Sequence, residues 1–196
     1  MPARSPRIPP LEPPYEPEVE EMLRKWMPPG DAVEPLKLFR TLAVHLDLAG
    51  RMRPLGAGLL GRPRVDPRER EVIIHRTTAL CGAEYEWGVH VVGFGTPFGL
   101  TEDQITATVN GQSDDPAWSE RDRLLVRLAD ELHRSATVSD DLWSELEARW
   151  PHDQLIELVV TAGWYRLISY VVNVAGVEKE PWAARFPAPR DEPQEG

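Results

Sequence analysis

Residues 66–104, DPREREVIIHRTTALCGAEYEWGVHVVGFGTPFGLTEDQ, decide how the rest of the chain is read. They place Glu71, His75 four positions on, the chain's single cysteine at Cys81, and then Glu86 and His90 at the same four-residue spacing. Asp66 followed by Pro67 has the form of an N-cap with proline at the first helical position, where the missing N–H costs nothing. A helix is therefore predicted to open at Pro67. Val72, Ile73, Thr77 and Leu80 recur at the three- and four-residue steps of a helix with a buried face, and Glu71, His75, Thr78 and Gly82 share one stripe. Gly82 and Ala83 interrupt this helix. The next resumes at Tyr85, with Glu86 and His90 one turn apart on one side. If the two helices are neighbours, their Glu and His side chains meet over Cys81.

Working outward, the strand signals are few and the helical ones many. A first helix is read from Glu18 to Trp26, stopping before Pro28-Pro29-Gly30. An amphipathic segment from Pro35 to Leu48 carries Leu36, Phe39, Leu42, Ala43 and Leu46 on one stripe, with His45 beside it. Gly50 is expected to end it, and Met52 to Leu60 to be helical or loop-like. Thr101 and Gln104 have the spacing of a capping box, Ser119 opens a periodic helix through Leu124, Leu128 and Leu132, and Ser139 opens another that Pro151 stops. From Asp153 to Val174 the chain is apolar on most helical sides, which predicts burial in the fold or between subunits, preferably the latter.

Composition narrows the function classes. A chain of 196 residues supports one domain with a core and is short for two. Its net charge of -10 opposes nucleic-acid binding, which needs concentrated basic surface. No apolar run is read as long enough to cross a bilayer and no leader signal is read at the start, so no membrane partner is expected. One cysteine forms no intrachain disulfide, and the expected compartment is the cytosol. Of twenty prolines, eleven lie in the two terminal segments, 1–17 and 181–196. Residues 1–17 are read as an extended arm, either wrapping a neighbouring subunit or a poorly ordered terminus, 18–180 as the domain, and 181–196 as a proline-rich tail with Trp182 and Phe186 as docking points.

The central stretch resembles the carboxymuconolactone decarboxylase family, which also contains the AhpD-type alkylhydroperoxidases. Aligned on His90, the family pattern has an upstream glutamate on a helix opening D-x-R-E-R-E, and here that glutamate is Glu71. The peroxidase branch carries a CxxC whose second cysteine lies four residues before the histidine. Those two positions are Ala83 and Glu86 in this chain, so the dithiol is absent, and Cys81 sits two residues before the first of them. The E-x-x-x-H pair of Glu86 and His90 is similar to the decarboxylase-type branch. A departure follows at Gly93-Phe94-Gly95-Thr96-Pro97, where the family continues a regular helix toward a turn present here as Gly99-Leu100-Thr101. The likeness runs from roughly Leu36 to Val177.

The resemblance implies an all-α, AhpD-like helical bundle forming an intertwined homo-oligomer (dimer, trimer or hexamer), with no metal and no organic cofactor. It implies decarboxylation of a small carboxylated or lactone-type organic acid by acid–base chemistry. Glu71, Glu86 and His90 are then the catalytic candidates, because burial and a neighbouring carboxylate move a histidine pKa in opposite directions and poise it for proton transfer. His75, Tyr85, Trp87 and His45 are candidates for the substrate pocket. The alternatives are an alkylhydroperoxidase-like activity of Cys81 and a non-catalytic binding or scaffold protein, in which Tyr165, Arg166 and Tyr170 serve an interface. Two E-x-x-x-H pairs on neighbouring helices also have a spacing seen in helix-bundle metal sites.

Overall fold

A computed structural model describes residues 5–27 and 34–189. Among them the chain forms nine α-helices and no strand, so the all-α reading holds. The helices are α1 (Pro17–Trp26), α2 (Lys37–Leu42), α3 (Leu46–Gly61), α4 (Pro67–Leu80), α5 (Glu84–His90), α6 (Glu102–Asn110), α7 (Glu120–Ser135), α8 (Asp140–Glu147) and α9 (His152–Ala175). The expected stop of α1 at Pro28–Gly30 lies outside the described residues, as do Pro2 and Pro193 of the termini.

Helix α4 is the hub, packing on α5, α6, α7 and α9. Its start is fixed as the sequence predicts: the Asp66 carboxylate accepts from the backbone N–H groups of Arg68 and Glu69 at 2.9 and 3.3 Å, ahead of Pro67. Val72, Ile73 and Ile74 have no exposed surface. They join two apolar clusters, Ile74 with α3, α5 and α9 on one side, Val72 and Ile73 with α6, α7 and α8 on the other. Full burial of one such aliphatic side chain is worth about 1.5–3 kcal/mol. Capping boxes open α6 (Thr101 with Gln104) and α7 (Ser119 with Asp122), and Ser139 caps α8.

Several expectations need correction. The amphipathic segment does not end at Gly50. It breaks earlier, at a 3₁₀ turn over Ala43–His45, and α3 then runs through Gly50 and Pro54. The break comes at His45, whose backbone leaves the helical region and whose ring Nδ1 accepts from the Leu48 N–H at 3.4 Å, capping α3. Pro54 lacks the N–H that would reach the Gly50 carbonyl four residues back, and a glycine there, exposed and without Cβ, yields to the proline ring.

Helix α9 departs from the membrane expectation. Its best 18-residue window has a mean hydropathy of 1.4, enough by length and composition to cross a bilayer, and 44% of that window is buried. The reason lies in its two faces: one packs on α3, α4, α5 and α8, and the other is apolar yet outward. The described parts of both terminal segments lie on the chain's own fold. In the arm, Arg7 and Ile8 donate to the Ala175 carbonyl and Leu11 to that of Arg40. In the tail, Phe186 packs on Trp87 with ring centres 5.2 Å apart, and Glu180 accepts from the Tyr85 hydroxyl at 2.8 Å and the Lys37 N–H at 2.7 Å. Trp182, expected to dock, is instead 48% exposed.

Candidate functional site

Buried polar groups are costly unless paired, and the pairs along α4 separate scaffold from site. Toward α7 and α8, Arg68 holds Asp122 at 2.7 and 3.0 Å, Glu69 accepts from Trp150 Nε1 at 2.9 Å and pairs with Arg121, and Arg76 holds Asp130 at 2.6 Å. These ties use up their charges. Toward α5 the arrangement differs. The Glu71 carboxylate has no exposed surface and accepts on both oxygens. Oε1 takes Arg70 Nε and Nη2 at 3.2 and 3.1 Å, and Oε2 takes His90 Nδ1 at 2.9 Å.

With Nδ1 engaged, the other imidazole nitrogen of His90 faces Glu86, whose Oε1 lies 3.6 Å from Nε2. That is beyond a hydrogen bond, and Glu86 makes none among the described residues. Phe94 stacks on the His90 ring at 4.8 Å and Tyr165 of α9 meets it edge-on at the same distance. Tyr165 is 2% exposed, and its hydroxyl makes no hydrogen bond among the described residues. The unsaturated side of His90 is thus bounded by a carboxylate and two aromatic rings.

Electrostatics follow from this packing. Burial works against charge on His90, but the Glu71 charge and hydrogen bond, with Glu86 behind them, outweigh it and push the imidazole up to about 9. Burial also opposes charge on Glu71, yet His90, His75 and Arg70 hold its carboxyl below the usual range. The pair is therefore ionic at neutral pH. His75 goes the other way, pushed down to about 4 by burial, which Glu71 only partly offsets and the charge of His90 reinforces. Its Nδ1 lies 2.7 Å from the Glu71 carbonyl oxygen. A carbonyl only accepts, which fixes Nδ1 as the protonated nitrogen and leaves Nε2 without a partner.

The segment after His90 is a π-helix, Val91–Gly95. Pro97 has no N–H to continue an α-helical ladder, and the bonds that do form are one residue wider: Thr96 N–H to the Val91 carbonyl at 3.1 Å and Leu100 N–H to that of Gly95 at 2.9 Å. This widening brings Phe94 over His90. Gly95 is also dictated by closeness, since a Cβ there would stand 2.8 Å from both Cε1 and Nε2 of His75.

The structure thus brings together Glu71, Glu86, His90 and His75. Trp87 borders this group, its ring 6.2 Å from that of His75 and its Nε1 donating to Thr108 Oγ1 at 2.9 Å. Tyr85 is tied away from it, its hydroxyl accepting from the Leu38 N–H at 3.1 Å and donating to Glu180. His45 is exposed at the head of α3. Cys81 is not where the Glu and His side chains meet. It ends α4 ten residues beyond Glu71, about 15 Å of helical rise, with its sulfur 3.9 Å from His133 Nδ1. Burial pushes the thiol up, against smaller opposing effects of Ser169 and Arg166.

Three residues at the site escaped the sequence reading. Arg70 adjoins Glu71 in sequence, a spacing at which helical side chains do not face each other, and only its length lets it fold back. Phe94 depends on the π-helical register. Tyr165 lies 75 positions from His90 with no local signal. Among the described residues no group of three or more His, Cys, Asp or Glu side chains is arranged to hold a metal ion.

Fold and site define first a class: an all-helical protein whose central helix pair buries a carboxylate–imidazole ion pair, one imidazole nitrogen of which makes no hydrogen bond among the described residues. Over residues 47–131, from α3 through most of α7, the chain matches the carboxymuconolactone decarboxylase family. No curated protein and no solved structure matches the chain. Helix α9 and Tyr165 lie beyond the matched segment.

Proposed function

We propose that this protein is a decarboxylase-type enzyme acting on a small carboxylated or lactone-type organic acid, with His90 as general acid. The observation that carries this reading is the asymmetric engagement of the imidazole: Nδ1 is hydrogen-bonded to Glu71 at 2.9 Å, while Nε2 makes no hydrogen bond among the described residues and faces the Glu86 carboxylate at ion-pair distance, 3.6 Å. Glu71, saturated by Arg70 and His90, orients the ring and holds its charge; it is a positioning residue. When the carbon–carbon bond to the substrate carboxylate breaks, CO2 leaves and the electron pair passes into the substrate's own conjugated carbonyl. The His90 Nε2 proton then goes to the resulting carbanion, and Glu86 restores it from solvent. A correctly placed acid of this kind contributes about 10²–10⁴-fold.

The Cys81 peroxidase reading gains no support, because a reactive thiol needs a lowered pKa and here burial raises it. The scaffold reading leaves the unbonded Glu86, Nε2 and Tyr165 hydroxyl without a purpose. A lone thiol suits the reducing cytosol. The test is a screen of small carboxylates for CO2 release, followed by Glu86→Gln and His90→Gln. Either change should lower turnover by about 10²-fold or more, and Glu86→Gln should leave the fold intact. Full activity of both variants on a substrate so identified would refute the mechanism.

A further inference from the structure

On the side of α4 away from His75 the chain holds a cleft, and what it offers stands independently of the acid–base reading. The cleft, about 440 Å³, lies between the end of α7 and α9, within the range of small-molecule sites, about 300–1,000 Å³. Thr77 reaches it from α4, two residues beyond His75 and so about 200° around the helix from it. The walls are graded. Thr77 and Ala162 are buried at the floor, Leu132, His133 and Arg166 form a half-buried flank, and Arg134, Val159 and Gly163 stand exposed at the rim.

The Thr77 hydroxyl is buried and has no hydrogen-bond partner among the described residues. A helical threonine can spend its hydroxyl on a carbonyl three or four residues back, as the neighbouring Thr78 does on those of Ile74 and His75, at 2.8 and 3.1 Å. Thr77 does not, and a buried hydroxyl is costly until something bonds it. Charge points to what enters. The chain carries a net charge of -10, yet the described residues lining the cleft include two arginines and no Asp or Glu. Arg134 makes no hydrogen bond or ion pair among the described residues. Arg166 is partly committed: Nη1 donates to the carbonyls of Leu132 and His133 at 3.1 and 2.9 Å and Nε to the Tyr170 hydroxyl at 2.6 Å, which leaves Nη2 over. These bonds also prepare the cleft for an anion. A helix end presents carbonyls that repel negative charge, and here Arg166 covers those of Leu132 and His133 while the Ser135 hydroxyl covers that of Glu131 at 2.8 Å.

We propose that this cleft binds a small organic acid with an apolar body and a hydroxyl or carbonyl oxygen at its far end. The carboxylate pairs with Arg134 and the Nη2 of Arg166, the body lies on Leu132, Val159 and Ala162, and the far oxygen bonds the Thr77 hydroxyl at the floor. Hydrogen bonds between a guanidinium and a carboxylate are shorter and stronger than neutral ones. Inorganic phosphate would satisfy the arginines alone, and a hydrocarbon only the apolar flank.

The test uses the full chain and 8-hydroxyoctanoate, followed by the imidazole signals of His133 in nuclear magnetic resonance. Saturable binding is expected, with a dissociation constant of about 1 mM or tighter for a ligand of this size. Octylammonium, with its charge reversed, should bind at least about tenfold more weakly. Arg134→Glu should weaken binding of the acid by a similar factor with unchanged helical circular dichroism, since that side chain is exposed and unpaired. Thr77→Val should weaken 8-hydroxyoctanoate about threefold or more and leave octanoate, which lacks the far hydroxyl, unchanged. Gly163→Leu should abolish binding of both by filling the cleft; a Cβ at Gly163 meets nothing within 4 Å, so the added side chain has room without disturbing α9. The proposal is overturned by an absence of saturable binding, by octylammonium binding as tightly as the acid, or by binding that neither Arg134→Glu nor Gly163→Leu reduces. Signals that move at His90 in place of His133, or a Thr77→Val variant that treats the two acids alike, would overturn it equally.

Discussion

Two histidines of this chain stand beside a side chain that can carry negative charge, and they end in opposite states. His90 meets Glu71 at 2.9 Å, almost wholly buried, and is pushed up to about 9. His133 meets Cys81 at 3.9 Å, half-buried, and moves down, because burial and the charges of Arg166 and Arg76 outweigh Asp130. The same α4 supplies both partners. What separates them is the surrounding charge: Glu71 is held as an anion by His90 itself, with His75 and Arg70 adding to it, whereas burial keeps the Cys81 thiol protonated. Proximity of an acid and an imidazole does not by itself make an ion pair; the desolvation cost must be met by further donors.

That contrast can be broken in three ways. The largest effect is expected from Glu71→Ala, which strands Arg70 and His90 in the core without their shared carboxylate. Loss of one partner of a buried pair costs about 3–5 kcal/mol, to be read from urea unfolding. A loss below about 1 kcal/mol would show that water reaches the site and that the pair is not the buried one described.

The second is pH. The His90 contribution is complete below its ordinary value of 6.5 and is lost as pH rises through about 9. His75, whose folded value is about 4, favours the folded state above 6.5, an advantage lost as pH falls toward 4. The lowered Glu71 carboxyl acts in the same acidic direction, its contribution present above 4.5 and lost as pH falls. Stability should therefore peak near pH 6.5. Nuclear magnetic resonance titration should show one imidazole changing near 9 and another near 4. Unshifted titration of His90 and His75 themselves, near 6.5, would contradict the ion pair.

The smallest effect belongs to the other histidine. Cys81→Ser should change stability by no more than about 1 kcal/mol and leave CO2-releasing activity untouched, and the wild-type thiol should alkylate more slowly at pH 7 than free cysteine. Fast alkylation, or loss of activity, would erase the distinction between the two pairs.

Much of the site was legible because helical spacing is local. The Asp66–Pro67 start and the one-turn relation of Glu86 to His90 follow from residues within one stretch of chain, while Glu71 as His90's partner came from the family pattern aligned on His90. The misreadings have physical causes. His45 looked like a stripe residue because periodicity cannot show that a ring nitrogen will leave the helix to cap the next one. Cys81 looked central because it lies between the two E-x-x-x-H pairs in sequence, but a helix carries it about 15 Å from Glu71.

By itself, the sequence determined the all-helical class, the starts of α4, α6, α7 and α8, the one-turn spacing of Glu86 and His90 and the apolar character of α9, all set by capping chemistry and by a period of 3.6 residues that acts over a few turns. Only the tertiary structure decided which charges are scaffold and which belong to the site, that His75 stays neutral while His90 does not, that Tyr165 and Phe94 close around the imidazole, and which face of α9 turns outward. These depend on desolvation and on neighbours far away in sequence, and neither is a property of any single stretch of chain.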